Sequence, residues 1–287
     1  MEETEAKSWE EFEPWLQKIE GTYAKLMRKD EYKTVSRPLF RGQSNSEWKL
    51  LTTLERYFRV PITVRQYLRL VHAAKPFIET LTSHRWNVPD EPFSEDPRQL
   101  RIPSRHGLFH GEGYEYLLYL RHHGFPSPLL DWSVSPYLAA FFAFSDAEEA
   151  REKHVSIYAF IEYAGGAKGG WVAEPQIHGL GSYVRSHPRH FLQQSAYTIC
   201  IKEFKGRVEF AVHEDVFARG DAKQDLLWKL NIPTTERRRV LRHLDRHNIN
   251  AYSLFASEEG MARTIAFREI ETAIERSNLP APGGADA

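Results

Sequence analysis

The residues best suited to chemistry lie in one segment, residues 119–136, which carries two adjacent histidines followed by an aspartate. Asp131 interrupts an apolar run, and an acid among apolar side chains is costly to bury unless it finds hydrogen-bond or charge partners. We therefore expect Asp131 to meet His122, His123 or Arg41. A carboxylate that orients an imidazole is a common acid–base arrangement. The alternative is that Asp131 caps a helix or a turn.

The elements around this segment follow from periodicity, capping residues and turn residues. Helices are predicted at residues 8–28 (with Ser8 and Glu11 as a capping box), from residue 53, at 64–81, 114–121, 135–149, 235–247 and 257–275. Strands are predicted at residues 38–43, 155–161, 197–201, 208–212 and 226–232. The elements lack regular alternation of strand and helix. This favours an α+β fold with a mixed, mostly antiparallel small sheet and surrounding helices.

Composition excludes several classes of protein. The 287 residues include 38 basic and 39 acidic side chains, so no overall field attracts nucleic acid. Cys200 is the single cysteine, which rules out an internal disulfide and suits a reducing compartment. No apolar run is long enough to span a membrane, and the acidic start is unlike a signal peptide. We expect a cytoplasmic protein with no membrane partner.

Three motifs in order resemble the FRG domain family, which takes its name from a Phe-Arg-Gly tripeptide. Here that tripeptide is Phe40-Arg41-Gly42, followed by the histidine-histidine-glycine and Leu-Leu-Asp-Trp motifs of residues 122–132 and an alanine-rich aromatic helix at 139–143. Later segments at 193–198 and 249–260 are also similar to the family. They depart from its usual residues at Ser195, Tyr197, Ala256, Ser257 and Glu259. The resemblance implies an FRG-like domain over residues 37–276. Periodicity predicts residues 1–36 as an N-terminal helical segment, and composition predicts residues 277–287 as a disordered tail.

The order of motifs is also similar to ADP-ribosyltransferases of the arginine-serine-glutamate type, which implies NAD as substrate and an ADP-ribosyltransferase-like fold. In that comparison Arg41 corresponds to the arginine and Ser133 to the hydroxyl residue. The final glutamate has three competing candidates, Glu203, Glu209 and Glu259.

NAD cleavage asks for a cation to hold the diphosphate, a glycine that allows close backbone approach, aromatic rings and a carboxylate beside the ribose. Two sets of residues are predicted to supply them. The candidate catalytic residues are Arg41, His123, Asp131, Gln193 and Glu259. The candidate NAD-binding residues are Phe40, Arg41, Gly42, His122, Trp132, Ser133 and Tyr197.

The acceptor is expected to be a nucleic acid or a protein, and an NAD hydrolase is an alternative. The genomic distribution of the family implies a toxin or anti-phage defence role, with an antitoxin as a further partner. A non-catalytic interaction module is the other alternative, and it rests on a basic helix that carries Arg238, Arg242 and Arg246 on one face.

Two further arrangements have weaker signals. A serine hydrolase would use His122 or His123 with Ser127 or Ser133 as nucleophile, but these residues lie close together in sequence and no nucleophile-elbow motif is present. Histidine pairs at residues 106 and 110 and at residues 243 and 247 have helical spacing that suits a metal. They lack the additional ligands of a metal site, and no metal is expected.

Overall fold

The computed structural model describes residues 1–29, 34–58, 60–86, 88, 111–147, 153–166, 168, 173–180 and 188–277. Across these residues the helices are α1 Phe12–Lys29, α2 Thr53–Tyr57, α3 Val64–Thr82, α4 Gly111–His122, α5 Pro136–Ser145, α6 Pro188–Leu192, α7 His213–Phe217, α8 Arg237–Arg246, α9 Ala251–Phe255 and α10 Glu258–Ser277. The strands are β1 Glu2–Glu5, β2 Leu39–Gln43, β3 Leu130–Ser133, β4 His154–Tyr163, β5 Gln176–Gly179, β6 Ser195–Phe204, β7 Arg207–Phe210 and β8 Gln224–Pro233. The predicted tail at residues 277–287 lies outside the described residues except for residue 277, and the histidines at 106 and 110 lie wholly outside them.

The strands form one mixed sheet in the order β1-β8-β4-β2-β3-β6-β5, with β7 paired to β6. The β1–β8 pair is parallel, and the other strand pairs are antiparallel. This confirms the predicted α+β class. The register between β2 and β3 comprises the single pair Phe40–Ser133 in the described part of the chain.

Local sequence explains where the central elements begin. The Ser135 side chain accepts a hydrogen bond from the Leu138 backbone amide, and Pro136 occupies the first turn of α5, as the sequence predicts. The predicted capping box of Ser8 and Glu11 is wrong. The Ser8 side chain makes no capping bond, and the Glu11 carboxylate instead accepts from the Lys7 amide at 2.8 Å.

Helices pack on the sheet through separate apolar clusters. One cluster joins α1, α5 and α8 to β2, β4 and β8, and it includes Phe12, Ile19 and Phe144. A second joins α3 and α4 to β6. A third holds Trp132 against Phe160. The predicted N-terminal helix therefore shares a core with the strands that carry the Phe-Arg-Gly motif.

Strand β1 is a feature that the sequence did not predict. Its Glu3 carboxylate contacts Lys229 at 2.8 Å and accepts from the Asn231 side chain at 2.7 Å, both on β8. These hydrogen bonds, together with the charge of Lys229, lower the pKa of Glu3.

A buried charge cluster joins β4 to β8. Lys168 Nζ contacts Glu162 at 3.0 Å and Asp225 at 2.8 Å, and it also donates to the Ile177 carbonyl. The lysine side chain is only 3% exposed. Burial raises the pKa of Asp225 to about 6 in spite of the lysine.

Every helix within the described residues is too short or too polar to cross a bilayer.

Candidate functional site

A cavity of about 370 Å³ opens between β2, β3, β6 and the C-terminal end of α4. This volume lies within the range of small-molecule sites. Helices α6 and α9 form the opposite side of its mouth. The lining residues are Phe40, Arg41, Gly42, Thr53, Arg121, His122, Gly124, Phe125, Asp131, Trp132, Ser133, Ala139, Phe142, Arg189, Gln193, Ser195, Tyr197 and Phe255.

The floor of the cavity is an ion-pair cluster of two arginines around one aspartate. Arg121, in the last turn of α4, donates through Nε and Nη2 to the two carboxylate oxygens of Asp131. Arg41 Nη1 lies 4.0 Å from the same carboxylate and donates to the Asp131 carbonyl at 2.8 Å. The sequence predicted Arg41 as a partner of Asp131 but missed Arg121, which makes the closer contact.

The charges in this cluster stay ionised. Burial on its own would raise the pKa of Asp131, but Arg121 and then Arg41 outweigh it, so that pKa is lowered. Burial and repulsion from Arg121 lower the pKa of Arg41 to about 10, which still leaves a cation at neutral pH. With two cations and one anion, the floor has a formal surplus of positive charge and suits an anionic ligand.

The exposure of these side chains shows which of them a ligand can reach. The Asp131 side chain is 42% exposed, whereas those of Arg41 and Arg121 are 15% and 12% exposed. The Arg41 Nε is buried without a hydrogen-bond partner. Asp131 therefore presents a carboxylate edge to the cavity, and Arg41 and Arg121, which also line it, each expose a smaller part of the side chain.

Gly42 has a packing role that the sequence did not reveal. A Cβ atom at this position would lie 2.0 Å from the Ala139 carbonyl oxygen and 2.5 Å from the Ala143 nitrogen. Helix α5 therefore lies directly against β2 at Gly42. This contact accounts for glycine in the Phe-Arg-Gly motif, independently of the close ligand approach that was predicted.

Trp132 and Ser133 differ from their predicted roles. The Trp132 ring is buried on the other side of β3, where it stacks on Phe160 and donates to Thr198 Oγ1 at 2.9 Å. Trp132 is among the residues that line the cavity, but its ring packs in the core, and this placement does not favour the predicted stacking on a ligand. Ser133 lines the cavity, but its hydroxyl donates to the Gln193 carbonyl at 2.9 Å.

Serine nucleophiles are therefore poorly supported. Ser127 is 1% exposed, and its hydroxyl accepts from the Leu129 amide at 3.2 Å. Both serines of the hydrolase alternative make local hydrogen bonds that shape the turns on either side of β3.

His122 is the histidine of the pair that lines the cavity. Its Nε2 lies 3.3 Å from the Tyr197 hydroxyl, which in turn lies 3.4 Å from Nδ1 of His190. The His190 ring stacks on the Tyr197 ring with a centroid distance of 5.8 Å. Burial raises the pKa of Tyr197, so its hydroxyl stays protonated.

His123 lies outside the cavity lining. Its side chain is exposed, and its ring packs on Tyr119 with centroids 4.3 Å apart. His123 was predicted to lie beside Asp131, but the structure does not bring the two together. It places the neighbouring His122 in the cavity instead.

The far wall of the cavity is aromatic and combines Phe142 of α5 with residues later in the chain. Phe142 and Phe255 meet edge to face at 6.2 Å, and the Arg189 guanidinium lies 5.5 Å from the Phe255 ring. Gln193 Nε2 donates to the Leu254 carbonyl at 3.2 Å and so ties the end of α6 to α9. Gln193 is a lining residue, as predicted.

Glu259 is exposed in the first turn of α10 and does not line the cavity. Hydrogen bonds from its own backbone amide and from Ser257 lower its pKa, with a smaller effect from Arg189. Glu203 and Glu209 lie on the β6–β7 hairpin, also away from the lining. None of the three glutamates completes the cavity, so Asp131 is the one carboxylate among the described lining residues.

The basic helix of the sequence analysis is α8, and Glu271 partly neutralises its arginines. Arg238 Nε contacts Glu271 of α10 at 2.9 Å, and Arg242 pairs with the same carboxylate. The His243 and His247 rings lie 4.8 Å apart. No group of three metal-ligating side chains occurs in the part of the chain that the structure describes.

The lining residues that the sequence did not mark include Arg121, Thr53, Arg189, Phe125 and Phe255. A signal for Arg121 existed, since it directly precedes the two histidines in the last turn of a predicted helix. Thr53, Arg189 and Phe255 lie in helices of only five residues, and Phe125 lies in the connection between α4 and β3, so no periodicity marks them.

Residues 36–152 match the model of the FRG domain. The chain contains an FRG domain. The match covers the ion-pair floor of the cavity, whereas Tyr197, Gln193 and Arg189 are supplied by residues beyond it. No curated protein and no solved structure shows a significant match to the chain.

Proposed function

We propose that the FRG-domain cavity binds NAD and that the protein transfers ADP-ribose from NAD to a macromolecule. One observation supports this above the others: Arg41 and Arg121 flank a carboxylate at the floor of a cavity whose far wall is aromatic. The substrate combines a diphosphate, which suits the arginines, with two flat rings, which suit Phe142 and Phe255.

The reaction breaks the bond between the ribose C1′ and the nicotinamide nitrogen. Nicotinamide leaves with the bonding electron pair, a nucleophilic oxygen or nitrogen of the acceptor bonds to C1′, and the acceptor loses its proton. Positive charge builds on the ribose in the transition state. The ionised Asp131 carboxylate, which is exposed to the cavity, would stabilise that charge.

Ion pairing sets the strength of this effect. Because Arg121 already neutralises part of the Asp131 charge, the carboxylate works as a positioned partial charge rather than as an isolated anion. Its lowered pKa keeps it ionised across the neutral range.

The test is incubation of the purified protein with NAD labelled in the adenylate half, with RNA, DNA or cell protein as acceptor. We expect label on one acceptor class and release of nicotinamide. An Arg41→Gln variant should lose at least about 100-fold in rate, as the loss of a charged contact in the transition state typically costs. The control is Arg268→Gln, which removes a partly exposed arginine that pairs with Asp245 on the surface.

The outcomes separate the alternatives. Nicotinamide release without labelled acceptor indicates an NAD hydrolase. Absence of NAD turnover, together with nucleic-acid or protein binding that survives Arg41→Gln, indicates an interaction module and overturns the proposal.

The toxin, antitoxin and defence roles remain predictions from the family resemblance. Induced expression of the wild-type chain beside Arg41→Gln in a bacterial host tests them directly, since only an active toxin slows growth in a manner that depends on Arg41.

A further inference from the structure

A hydrogen-bonded chain of three side chains leads from the cavity into the core: His122, Tyr197 and His190. The function proposed above uses none of them, although transfer to an acceptor requires a group that takes the acceptor's proton. Tyr197 is 1% exposed and His190 is 2% exposed, so the two inner members are held firmly.

We infer that His122 is the general base that deprotonates the acceptor, and that Tyr197 is a positioning residue that fixes its tautomer. This inference rests on the proposed function. His122 is the base candidate because it lines the cavity, whereas His123 does not.

A base role for His122 requires one direction of the hydrogen bonds along this chain. In that direction the Tyr197 hydroxyl donates its proton to Nδ1 of His190 and accepts from Nε2–H of His122. The His122 lone pair is then on Nδ1, as a base requires. In the opposite direction Tyr197 would donate to His122, and Nδ1 would carry a hydrogen instead.

Two features favour the protonated form that His122 reaches after it takes the proton. His122 is the final residue of α4, where the helix dipole stabilises a cation. It also interacts electrostatically with the Asp131 carboxylate. The other charged or titratable groups around Tyr197 are Arg121, Asp131 and Tyr114, and Tyr114 meets the Tyr197 ring edge to face at 6.3 Å.

The acceptor's X–H bond breaks as its electron pair forms the X–C1′ bond, the proton bonds to Nδ1 of His122, and nicotinamide leaves with the electron pair of the broken glycosidic bond. The imidazolium then returns its proton to water.

Nitrogen-15 NMR of the imidazole side chains tests the tautomer without any activity measurement. We expect neutral His122 as the Nε2–H form, and we expect Tyr197→Phe, which keeps the ring but removes the hydroxyl, to shift it toward a mixture. Neutral His122 as the Nδ1–H form overturns the inference.

Enzyme kinetics tests the role of His122 as the general base. His122→Asn should slow ADP-ribosyl transfer by about 100-fold and remove the acidic limb of its pH profile, since a protonated imidazole cannot accept a proton. Tyr197→Phe should slow transfer less and move that limb. His123→Asn, on the exposed neighbour, is the matched control and should keep the wild-type profile.

The two failures are distinguishable. A wild-type protein that turns over NAD, with an unchanged pH profile in His122→Asn, overturns the base assignment alone. A wild-type protein without NAD turnover overturns the proposed function and the base assignment with it, whereas the NMR tautomer still tests the positioning role of Tyr197.

Discussion

At the scale of single residues, Arg121 controls the state of Asp131. The two side chains form a bidentate pair, whereas Arg41 approaches the same carboxylate only to 4.0 Å. The sequence indicated that Asp131 needs a partner, because an acid in an apolar run must have one. The sequence did not indicate which residue is that partner, because the pairing depends on how the end of α4 lies over β3.

Replacement of Arg121 by methionine should lower the free energy of unfolding by about 2 kcal/mol at neutral pH, since it leaves Asp131 with a weaker partner. This estimate is below that for a fully buried pair because Asp131 is partly exposed. The pKa of Asp131 is lowered in the folded protein, so this stability is present above the unfolded pKa and is lost as the pH falls through the folded value.

Urea unfolding at pH 7 and at pH 3 measures the effect of Arg121→Met. The deficit should shrink at the lower pH. Arg219→Met, which removes a pair with the exposed Glu174, is the control and should change stability by less than about 1 kcal/mol. An equal loss of unfolding free energy in both variants would contradict the proposal that Arg121 is the main partner of Asp131.

A second prediction at this scale concerns Gly42. Gly42→Ala places a Cβ against the backbone of α5, so it should destabilise the protein by about 2–3 kcal/mol. Gly21→Ala is the matched control, because nothing lies within 4 Å of the added atom in α1 and alanine favours the helix by about 1 kcal/mol. Thermal unfolding of both variants provides the measurement, and a neutral Gly42→Ala would show that α5 can move away from β2.

At the scale of elements, the sequence predicted long helices and strands well and short ones poorly. Strands β4, β6 and β8 carry ten residues each, and their apolar runs were recognised. Elements of four or five residues, such as β1, β5, α6 and α9, hold too few side chains to show a period. Because α6 and α9 carry Arg189 and Phe255, these two wall residues escaped prediction, whereas Gln193, which directly follows α6, was predicted.

The basic face of α8 also depends on its neighbouring element. Glu271 of α10 accepts from both Arg238 and Arg242, and its pKa is lowered by these contacts. A helix that looks available for phosphate in the sequence is therefore committed in large part to α10.

Glu271→Gln should lower the free energy of unfolding by about 1–2 kcal/mol at pH 7. The loss should fade as the pH drops through the lowered folded pKa, since the wild-type carboxylate is then protonated as well. Glu269→Gln, an exposed position on the same helix, is the control. Chemical unfolding across pH 3–7 follows both, and a loss that does not depend on pH would contradict an ionic role.

At the scale of the whole molecule, the buried Lys168 cluster joins β4 and β8 near the loop that precedes β5. Lys168→Met leaves Glu162 and Asp225 without their cation and should lower the free energy of unfolding by about 3 kcal/mol at pH 8. The pKa of Asp225 is already raised to about 6, so protonation favours the folded state and the deficit should be smaller at pH 5.

Comparison of Lys168→Met with Lys25→Met, an exposed change on α1, isolates this effect. Equal stability of the two variants at pH 8 would show that the cluster does not join the strands.

The narrow join between β2 and β3 has a consequence for how the molecule responds to a ligand. In the β2–β3 register a single residue pair joins the strand group β1-β8-β4-β2 to the group β3-β6-β5, and the Arg41 side chain adds a hydrogen bond across this junction, beside the packing of Trp132 on Phe160. Arg41 is also the residue proposed to hold the substrate, so a bound anion would draw on the same guanidinium that bridges the two groups. The β2–β3 junction and the binding site are then mechanically coupled. Binding of the ligand should therefore slow amide hydrogen exchange along both β2 and β3.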